Sequence, residues 1–313
     1  MRSLLLAALL PLVLFADAHI FVFHRFGDQR HPATDTAIPI LRAEFDYLKT
    51  HGYKVIPLAR LAKALKNREP IDDKWVVLTI DDSYKSFYES GLPVFREYGY
   101  PFTLFVYVEA TDKGYSDFMS WEQVRDAARY GEIGLHGYGH RHETQLTDAD
   151  LRDDTQRGLR SFAKELRTVP RYYAYPYGEY DAAVKAGIAA FGFDLILNQN
   201  SGAVNAHSDA LDLDRIALTG DNTIAQKLRI ERLDAEWISP RRWPKGGRLK
   251  EIHAKIAPAY SSAEIYITGH GWHRVPVKDG EILEKTDVKL EGPRSRIFLK
   301  VGRKQNGIIL VKE

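Results

Sequence analysis

The chain of 313 residues contains no cysteine. That absence excludes a disulfide framework and every metal site built on thiolates, so a metal ion would have to be held by histidine, aspartate or glutamate. No excess of one charge is present either, since 44 Lys and Arg stand against 42 Asp and Glu, spread along the chain. The electrostatic footprint of a nucleic-acid-binding protein is therefore missing. We expect no nucleic-acid partner, and the sequence implies no protein partner.

Long hydrophobic runs are also missing, except at the N-terminus. There Arg2 precedes an apolar run over residues 4–15, and Ala16-Asp17-Ala18 follows with the small-x-small pattern that signal peptidases read. The run is shorter than the roughly 20 apolar residues needed to cross a bilayer. We therefore expect residues 1–18 to be a cleaved signal peptide, no stable membrane span, and a periplasmic or secreted location.

Short apolar runs rich in β-branched and aromatic residues alternate with segments of helical periodicity after the leader. This alternation predicts repeated βα units in a parallel sheet or barrel. The strands predicted in this part of the chain are Ile20–Phe23, Lys54–Ile56, Trp75–Ile80, Phe102–Val106, Glu132–Leu135, Tyr172–Tyr175 and Leu195–Leu197. Helices are predicted from Ile38 to His51, from a Ser120 cap to Tyr130, and from Asp148 to Leu166.

The pattern changes beyond Asp221, where proline, glycine and tryptophan punctuate residues 240–247 like a linker. Later apolar runs suggest consecutive strands, and Asp279-Gly280 and Asn306-Gly307 are typical hairpin-turn pairs. We expect a small antiparallel β domain over residues 248–313. We expect this domain to have a structural role. Trp272, with two histidines nearby, leaves carbohydrate or partner binding open as the alternative.

Two adjacent aspartates, Asp81 and Asp82, directly follow the apolar run Trp75–Ile80. Carboxylates near a core are costly unless a cation or a proton compensates their charge. Because neighbouring side chains point in different directions, one aspartate can bind a metal ion while the other faces substrate. A helix cap made by Asp82 or Ser83 is the ordinary structural alternative.

Two histidines four residues apart, His136 and His140, follow the run Glu132–Leu135. That spacing brings two imidazoles to one side of a helical turn or a tight loop, where they suit a single divalent cation. His142 lies outside the pair, and we expect it to be a solvated surface residue.

A third polar segment runs from Arg171 to Gly178 and ends in Pro176-Tyr177-Gly178. It offers a fixed positive charge and a constrained turn, although a plain strand and turn is the alternative. All three segments follow strand ends, which in a βα barrel converge on one mouth. Together they furnish two imidazoles and a carboxylate, with a second carboxylate to spare. Such a set suits Zn²⁺ or another divalent ion that holds water.

In this order the motifs resemble those of the polysaccharide deacetylase family, the NodB-homology or family-four carbohydrate esterases, over roughly residues 19–219. The segment Phe23–Phe26 is similar to the corresponding part of the poly-N-acetylglucosamine deacetylase branch. The resemblance implies an α/β fold with a distorted (β/α) barrel of about seven units. We place that barrel at residues 19–240, followed by the small C-terminal antiparallel β domain.

The resemblance also implies a divalent metal ion, with zinc expected and nickel, cobalt or iron as alternatives. The implied metal ligands are Asp82, His136 and His140. In the same family pattern Asp81 is the general base, Arg171 orients it, and the backbone N–H of Tyr177 belongs to the oxyanion hole. We expect Tyr138 and Pro176 to contact the substrate, and aromatic rings including Trp121 to stack on sugars.

The sequence departs from the family at two positions. Ser83 stands where the family has glycine, and the late histidine that serves as general acid is absent from residues 216–220. The departing amine still needs a proton, because an amide anion is a very poor leaving group. His24, which follows the first predicted strand, is our leading candidate for the acid. The other candidates are His207, His270 and His273.

These residues predict a metal-dependent hydrolase that removes N-acetyl groups from a polysaccharide containing N-acetylglucosamine. Poly-N-acetylglucosamine is the first expectation, and peptidoglycan or chitin-like chains are alternatives. An O-acetyl esterase of the xylan type would use the same site. A non-catalytic glycan-binding protein on the same barrel also stays open, although Asp81 argues against it because a binding protein needs no base.

Overall fold

The computed structural model describes residues 16–219 and 223–312. Residues 1–15 lie outside the described part, so the signal peptide stays a prediction. Ala18, at its predicted end, is buried and exchanges two backbone hydrogen bonds with Val204. Among the described helices, none combines the length and the apolar character that crossing a membrane requires.

A curved sheet of parallel strands forms the first part of the chain. The strands in this part of the chain are β1 (His19–Phe23), β2 (Arg25–Phe26), β3 (Asp35–Thr36), β4 (Lys54–Val55), β5 (Trp75–Ile80), β6 (Thr103–Val106), β7 (Glu132–Leu135), β8 (Tyr172–Ala174), β9 (Leu195–Leu197) and β10 (Ile216–Ala217). Seven of them lie side by side in the order β10-β1-β5-β6-β7-β8-β9, and β4 pairs with the start of β5. The seven parallel strands with their helices confirm the predicted distorted barrel.

Helices connect the strands and cover the sheet. They are α1 (Ile38–Thr50), α2 (Leu58–Asn67), α3 (Leu92–Tyr98), α4 (Val108–Asp112), α5 (Trp121–Ala127), α6 (Asp148–Leu166), α7 (Ala182–Ala189) and α8 (Ile224–Lys227). Short turns of π or 3₁₀ geometry lie at Phe87–Gly91, Glu143–Gln145, Pro176–Gly178 and Lys245–Gly247. The Ser120 hydroxyl accepts from the Gln123 backbone N–H in a capping box, which confirms the predicted start of α5.

Alternate strand residues enter two separate apolar clusters, as the two-residue period of a strand requires. Phe21 and Leu78 belong to the larger cluster, which includes the apolar faces of α1 and α6. Ile20 and Val77 belong to a second cluster, which takes in α2. Since both faces of β5 are buried, the strand is an apolar run apart from Thr79, whose hydroxyl donates to the Phe21 carbonyl at 2.8 Å. Charged residues begin where the strand ends, at Asp81.

The C-terminal part is an antiparallel β module, as predicted. Its strands are β11 (Glu231–Arg232), β12 (Glu236–Ser239), β13 (Arg248–Lys255), β14 (Ser262–Ile267), β15 (Gly271–Pro276), β16 (Glu281–Lys289), β17 (Arg294–Val301) and β18 (Lys304–Val311). They form a five-stranded sheet, β11-β18-β17-β14-β15, and a three-stranded sheet, β12-β13-β16, around a shared apolar core. Only β11 runs parallel to its neighbour. The predicted domain boundary, with the barrel ending at residue 240 and the β domain beginning at residue 248, stays a prediction. β11 and β12 lie before residue 240 but pair with strands of the C-terminal module.

One predicted turn of the module is wrong. Asp279-Gly280 does lie between β15 and β16, but Asn306-Gly307 lies inside β18, opposite Leu299 and Phe298. A Cβ atom at Gly307 would come within 2.4 Å of the Phe298 ring. The glycine therefore makes room for a cross-strand aromatic ring instead of a turn.

Candidate active site

The two aspartates lie directly beyond the end of β5, and the first histidine lies beyond the end of β7. Asp82 and Ser83 have positive φ angles of 72° and 58°, and His140 has one of 46°. Non-glycine residues rarely adopt this conformation, and such strain is concentrated at functional sites. The strained backbone turns the side chains away from their strands and towards one another.

Asp82, His136 and His140 meet at one point. The Asp82 Oδ1 atom lies 3.3 Å from His136 Nε2 and 3.0 Å from His140 Nε2. One ligand atom from each residue lies within 4.8 Å of the other two. Asp82 and His136 are buried, and the His140 side chain is 14% exposed, so the cluster opens to solvent on one side. The geometry brings together the three residues predicted as metal ligands.

The chemistry of this cluster suits a divalent cation. His136 Nδ1 lies 2.8 Å from the Ala174 carbonyl, and donating to it leaves the Nε2 lone pair facing Asp82. The buried Asp82 Oδ1 atom has no hydrogen-bond partner among the described residues. In the absence of a metal ion, burial raises the pKa of Asp82, but His140 and His136, when protonated, hold it well below its usual value. Two imidazoles and one carboxylate with an open side form a donor set typical of zinc and related ions.

A second acid–histidine group, Asp28, His31 and Asp117, also occurs among the described residues. Its carboxylates are already paired with guanidinium groups, because Arg25 and Arg30 each contact both Asp28 and Asp117 at 2.6–2.9 Å. A cation there would have to displace two arginines, so we treat this group as an ion-pair network.

Asp81 is fully buried and is held by an arginine that the sequence analysis missed. Arg215, also fully buried, donates to the two carboxylate oxygens of Asp81 at 2.7 and 2.8 Å. Burial by itself raises the pKa of Asp81, but Arg215 and then His136 lower it, and the net shift is downward. The ionised carboxylate of Asp81 is thereby stabilised beside the metal-ligand cluster.

The predicted orienting residue, Arg171, lies elsewhere, and that prediction is wrong. Its Nε atom forms a 2.5 Å ion pair with Asp194, and its side chain is 68% exposed. Arg171 and Arg215 each directly precede a short strand, β8 and β10. β10 pairs with Phe21 and Val22 in the second half of β1, so Arg215 enters the sheet close to the carboxyl ends of the strands, and its guanidinium also reaches Thr79 of β5. No sequence signal distinguished Arg215 from Arg171.

Tyr177 lies beside the metal-ligand cluster in a strained turn, with φ of 59°. Its ring contacts His140 at a centroid distance of 4.4 Å and stacks on His142 at 4.2 Å. His142, expected to be a solvated surface residue, has a side chain that is 41% exposed, and it also pairs with Glu179 at 2.7 Å. The turn therefore forms one wall of the site. The predicted role of the Tyr177 N–H stays a prediction.

The expected sugar contacts of Tyr138 and Trp121 are wrong, because both rings are buried. The Tyr138 side chain packs in the larger core, and the Arg157 guanidinium lies 3.9 Å from its ring centroid. Trp121 donates from its indole N–H to Asp112 at 2.7 Å. Pro176, which begins the turn that contains Tyr177, is also buried, and its predicted contact with the substrate stays a prediction.

His24 lies at the site, directly after β1, the strand next to the one that precedes the aspartates. The Asp81 N–H donates to the carbonyl of Phe23, so His24 and Asp81 follow neighbouring strand ends. Burial lowers the pKa of His24, and its Nδ1 atom has no hydrogen-bond partner in the described part of the chain. The other candidates for the general acid lie on other elements: His270 and His273 belong to the C-terminal module, and His207 lies between β9 and β10.

The sequence is similar to that of known deacetylases. Residues 68–196 match a family described as polysaccharide deacetylase. A curated relative, the poly-beta-1,6-N-acetyl-D-glucosamine N-deacetylase of Escherichia coli strain K12, is 25% identical over an alignment that covers 69% of this chain and 38% of that protein. The chain thus spans less than half the length of this relative.

Two solved structures show the same fold over about two thirds of the chain. A structure of IcaB from Ammonifex degensii has a TM-score of 0.59 and 26% identity, and the alignment covers 66% of this chain and 93% of that one. The Streptococcus pyogenes deacetylase PplD in complex with acetate has a TM-score of 0.62 and 21% identity, with coverage of 67% and 95%. The likeness to PplD concerns the fold alone.

Proposed function

On the premise that residues 68–196 match the polysaccharide deacetylase family, we propose that the chain is a metal-dependent enzyme that removes N-acetyl groups from a polysaccharide of N-acetylglucosamine. The observation that carries the proposal is the meeting of Asp82, His136 and His140 around one point, with Asp81 fixed beside them by Arg215. A protein that only binds glycans has no need for a buried, ionised carboxylate next to such a cluster.

A divalent ion held by Asp82, His136 and His140 would supply Lewis-acid chemistry, which activates water and polarises the acetyl carbonyl. The ionised Asp81 accepts the proton of the attacking water, and Arg215 keeps its carboxylate aimed into the site. The backbone N–H of Tyr177 donates to the oxygen that gains charge as the carbonyl becomes tetrahedral.

His24 donates the proton that the departing amine requires. Its position beside the aspartates supports this role, since a general acid has to be within hydrogen-bond reach of the leaving group. Because burial lowers the pKa of His24, its imidazole is neutral before the reaction. It therefore has to take up the proton that the attacking water gives to Asp81, and it then passes that proton to the amine. The late histidine of the family is absent, so this neighbouring strand end supplies an alternative acid.

Poly-β-1,6-N-acetylglucosamine is the substrate that we propose first, because the Escherichia coli relative acts on that polymer according to its name. Peptidoglycan and chitin-like chains carry the same acetamido group and are the alternative substrates. We propose zinc as the metal ion, since two imidazoles and a carboxylate are common zinc ligands. The N-terminal pattern favours a periplasmic or secreted location.

Acetate release by the purified protein tests this function. The protein is incubated with poly-N-acetylglucosamine, chitooligosaccharides and acetylated xylan, before and after dialysis against a chelator, and then with zinc restored. We expect acetate from the N-acetylglucosamine polymers, its loss on chelation and its recovery with zinc. Hydrolysis that survives complete removal of metal would contradict the proposal, and activity on xylan alone would assign the site to an esterase.

A further inference from the structure

A contact between the C-terminal module and the barrel reaches the wall of the active site. Arg294, the first residue of β17, extends its guanidinium to the turn that carries Tyr177. Its Nη1 atom donates to the Tyr177 carbonyl at 3.4 Å and lies 3.8 Å from a carboxylate oxygen of Glu179. The module therefore touches the turn whose ring contacts His140.

The Tyr177 turn needs support, because its backbone conformation is unfavourable for a residue with a side chain. Tyr177 has φ of 59° and Gly178 has φ of 70°. Any Cβ atom at Gly178 would come within 2.4 Å of Gln199. The glycine accommodates this geometry, but the tyrosine is strained, and neighbouring contacts have to hold it in place.

Glu179 links the supporting contacts. Its side chain is 1% exposed, and its two carboxylate oxygens face in different directions, one towards His142 at 2.7 Å and the other towards Arg294. The imidazole of His142 in turn stacks on the Tyr177 ring. A buried carboxylate is tolerated only when positive or hydrogen-bonding groups surround it, and here one such group comes from the barrel and the other from the module.

Other residues of the C-terminal module also contact the barrel. Gln305 of β18 donates to the Ser201 carbonyl at 3.1 Å, and Gln145 donates to the Lys312 carbonyl at 3.2 Å. Arg296, two residues along from Arg294 on the same face of β17, also interacts electrostatically with Glu179. Arg294 is thus presented from a fixed strand and not from a free tail.

We propose that the C-terminal module completes the active site, with Arg294 as a positioning residue that holds the Tyr177 turn against His140 through Glu179 and His142. The inference rests on the proposed function, in which the Tyr177 N–H stabilises charge in the transition state. Loss of Arg294 lets the turn relax, and the donor moves away from the position where that charge develops.

Kinetics of the full-length Arg294→Ala protein test the inference. We expect kcat to fall by about 10- to 100-fold, because sub-ångström misplacement has effects of that order. KM should change by less than about twofold, since the donor acts mainly in the transition state. Arg294→Lys keeps a positive charge within reach and should recover much of kcat. Arg248→Ala is the matched control, because Arg248 makes a two-point ion pair with Asp287 inside the module.

Amide hydrogen exchange separates this inference from the proposed function. In Arg294→Ala, peptides covering residues 175–180 should exchange faster, whereas β5 should be unchanged and Arg248→Ala should match the wild type. Unchanged exchange over residues 175–180, or an unchanged kcat, overturns the role of Arg294. A wild-type protein that releases no acetate, but whose turn loosens in the variant, would refute the proposed reaction and leave the anchoring contact supported.

Discussion

Replacing Arg215 by methionine removes the guanidinium that faces the buried carboxylate of Asp81. Both side chains are fully buried, and the pair is bidentate at 2.7 and 2.8 Å. Breaking such a pair by removing one partner costs about 3–5 kcal/mol, because the remaining charge is buried without compensation. Without Arg215, burial raises the pKa of Asp81, and the base becomes protonated or misaligned. We expect both stability and kcat/KM to fall.

Equilibrium urea denaturation at neutral pH and initial rates of acetate release measure the two effects. The double variant Arg215→Met with Asp81→Asn should recover more than half of the lost stability, because it removes the unpaired charge as well. Arg171→Met is the matched control. Its partner Asp194 is partly exposed and its own side chain is 68% exposed, so the loss should be below about 1 kcal/mol. If Arg171→Met loses activity while Arg215→Met keeps it, our assignment of the two arginines is refuted.

Three further predictions concern single residues. Asp81→Asn should lower kcat by at least about 100-fold and still bind one metal ion per chain. A variant as active as the wild type would show that Asp81 is not the base. His24→Gln should lower kcat with unchanged metal content, whereas an unaffected kcat would return the role of acid to another histidine. Burial raises the pKa of Glu143 to about 8 from an ordinary 4.5. The folded state therefore holds a proton that the unfolded state releases, and stability should fall as pH rises from about 4.5 to 8. Glu143→Gln should remove this dependence of the unfolding free energy on pH. At pH 9 the variant should be more stable than the wild type by up to about 5 kcal/mol. Parallel curves of stability against pH for the two proteins would show that Glu143 is not the responsible group.

The metal-ligand cluster could be predicted because its signal is local. Asp81 and Asp82 directly follow the mostly apolar strand β5, and His136 and His140 follow β7. Parallel strands place their carboxyl ends at one edge of the sheet. Polar residues at those ends therefore lie near one another regardless of the loop conformations. The barrel strands were predictable for the same reason, since buried parallel strands are short apolar runs.

Arg215 could not be predicted in the same way, because its partner lies 134 positions away in the chain. Arginine is usually exposed, and only the pairing across the sheet explains a fully buried one. Tyr138 illustrates a different gap. Its aromatic ring suggested a sugar contact, but the sequence does not reveal that the ring packs in the core beside Arg157. The residue pair Asp279-Gly280 correctly predicted a turn, but Asn306-Gly307 did not. Gly307 instead provides space for the Phe298 ring of the neighbouring strand.

The most direct test of this account is a crystal structure of the zinc-loaded protein with anomalous data collected at the zinc edge. The account predicts one ion per chain at about 2.0–2.2 Å from an oxygen of Asp82 and from Nε2 of both His136 and His140, with at least one further position open to solvent. A protein that binds no stoichiometric zinc, or an anomalous peak away from these three side chains, would contradict it.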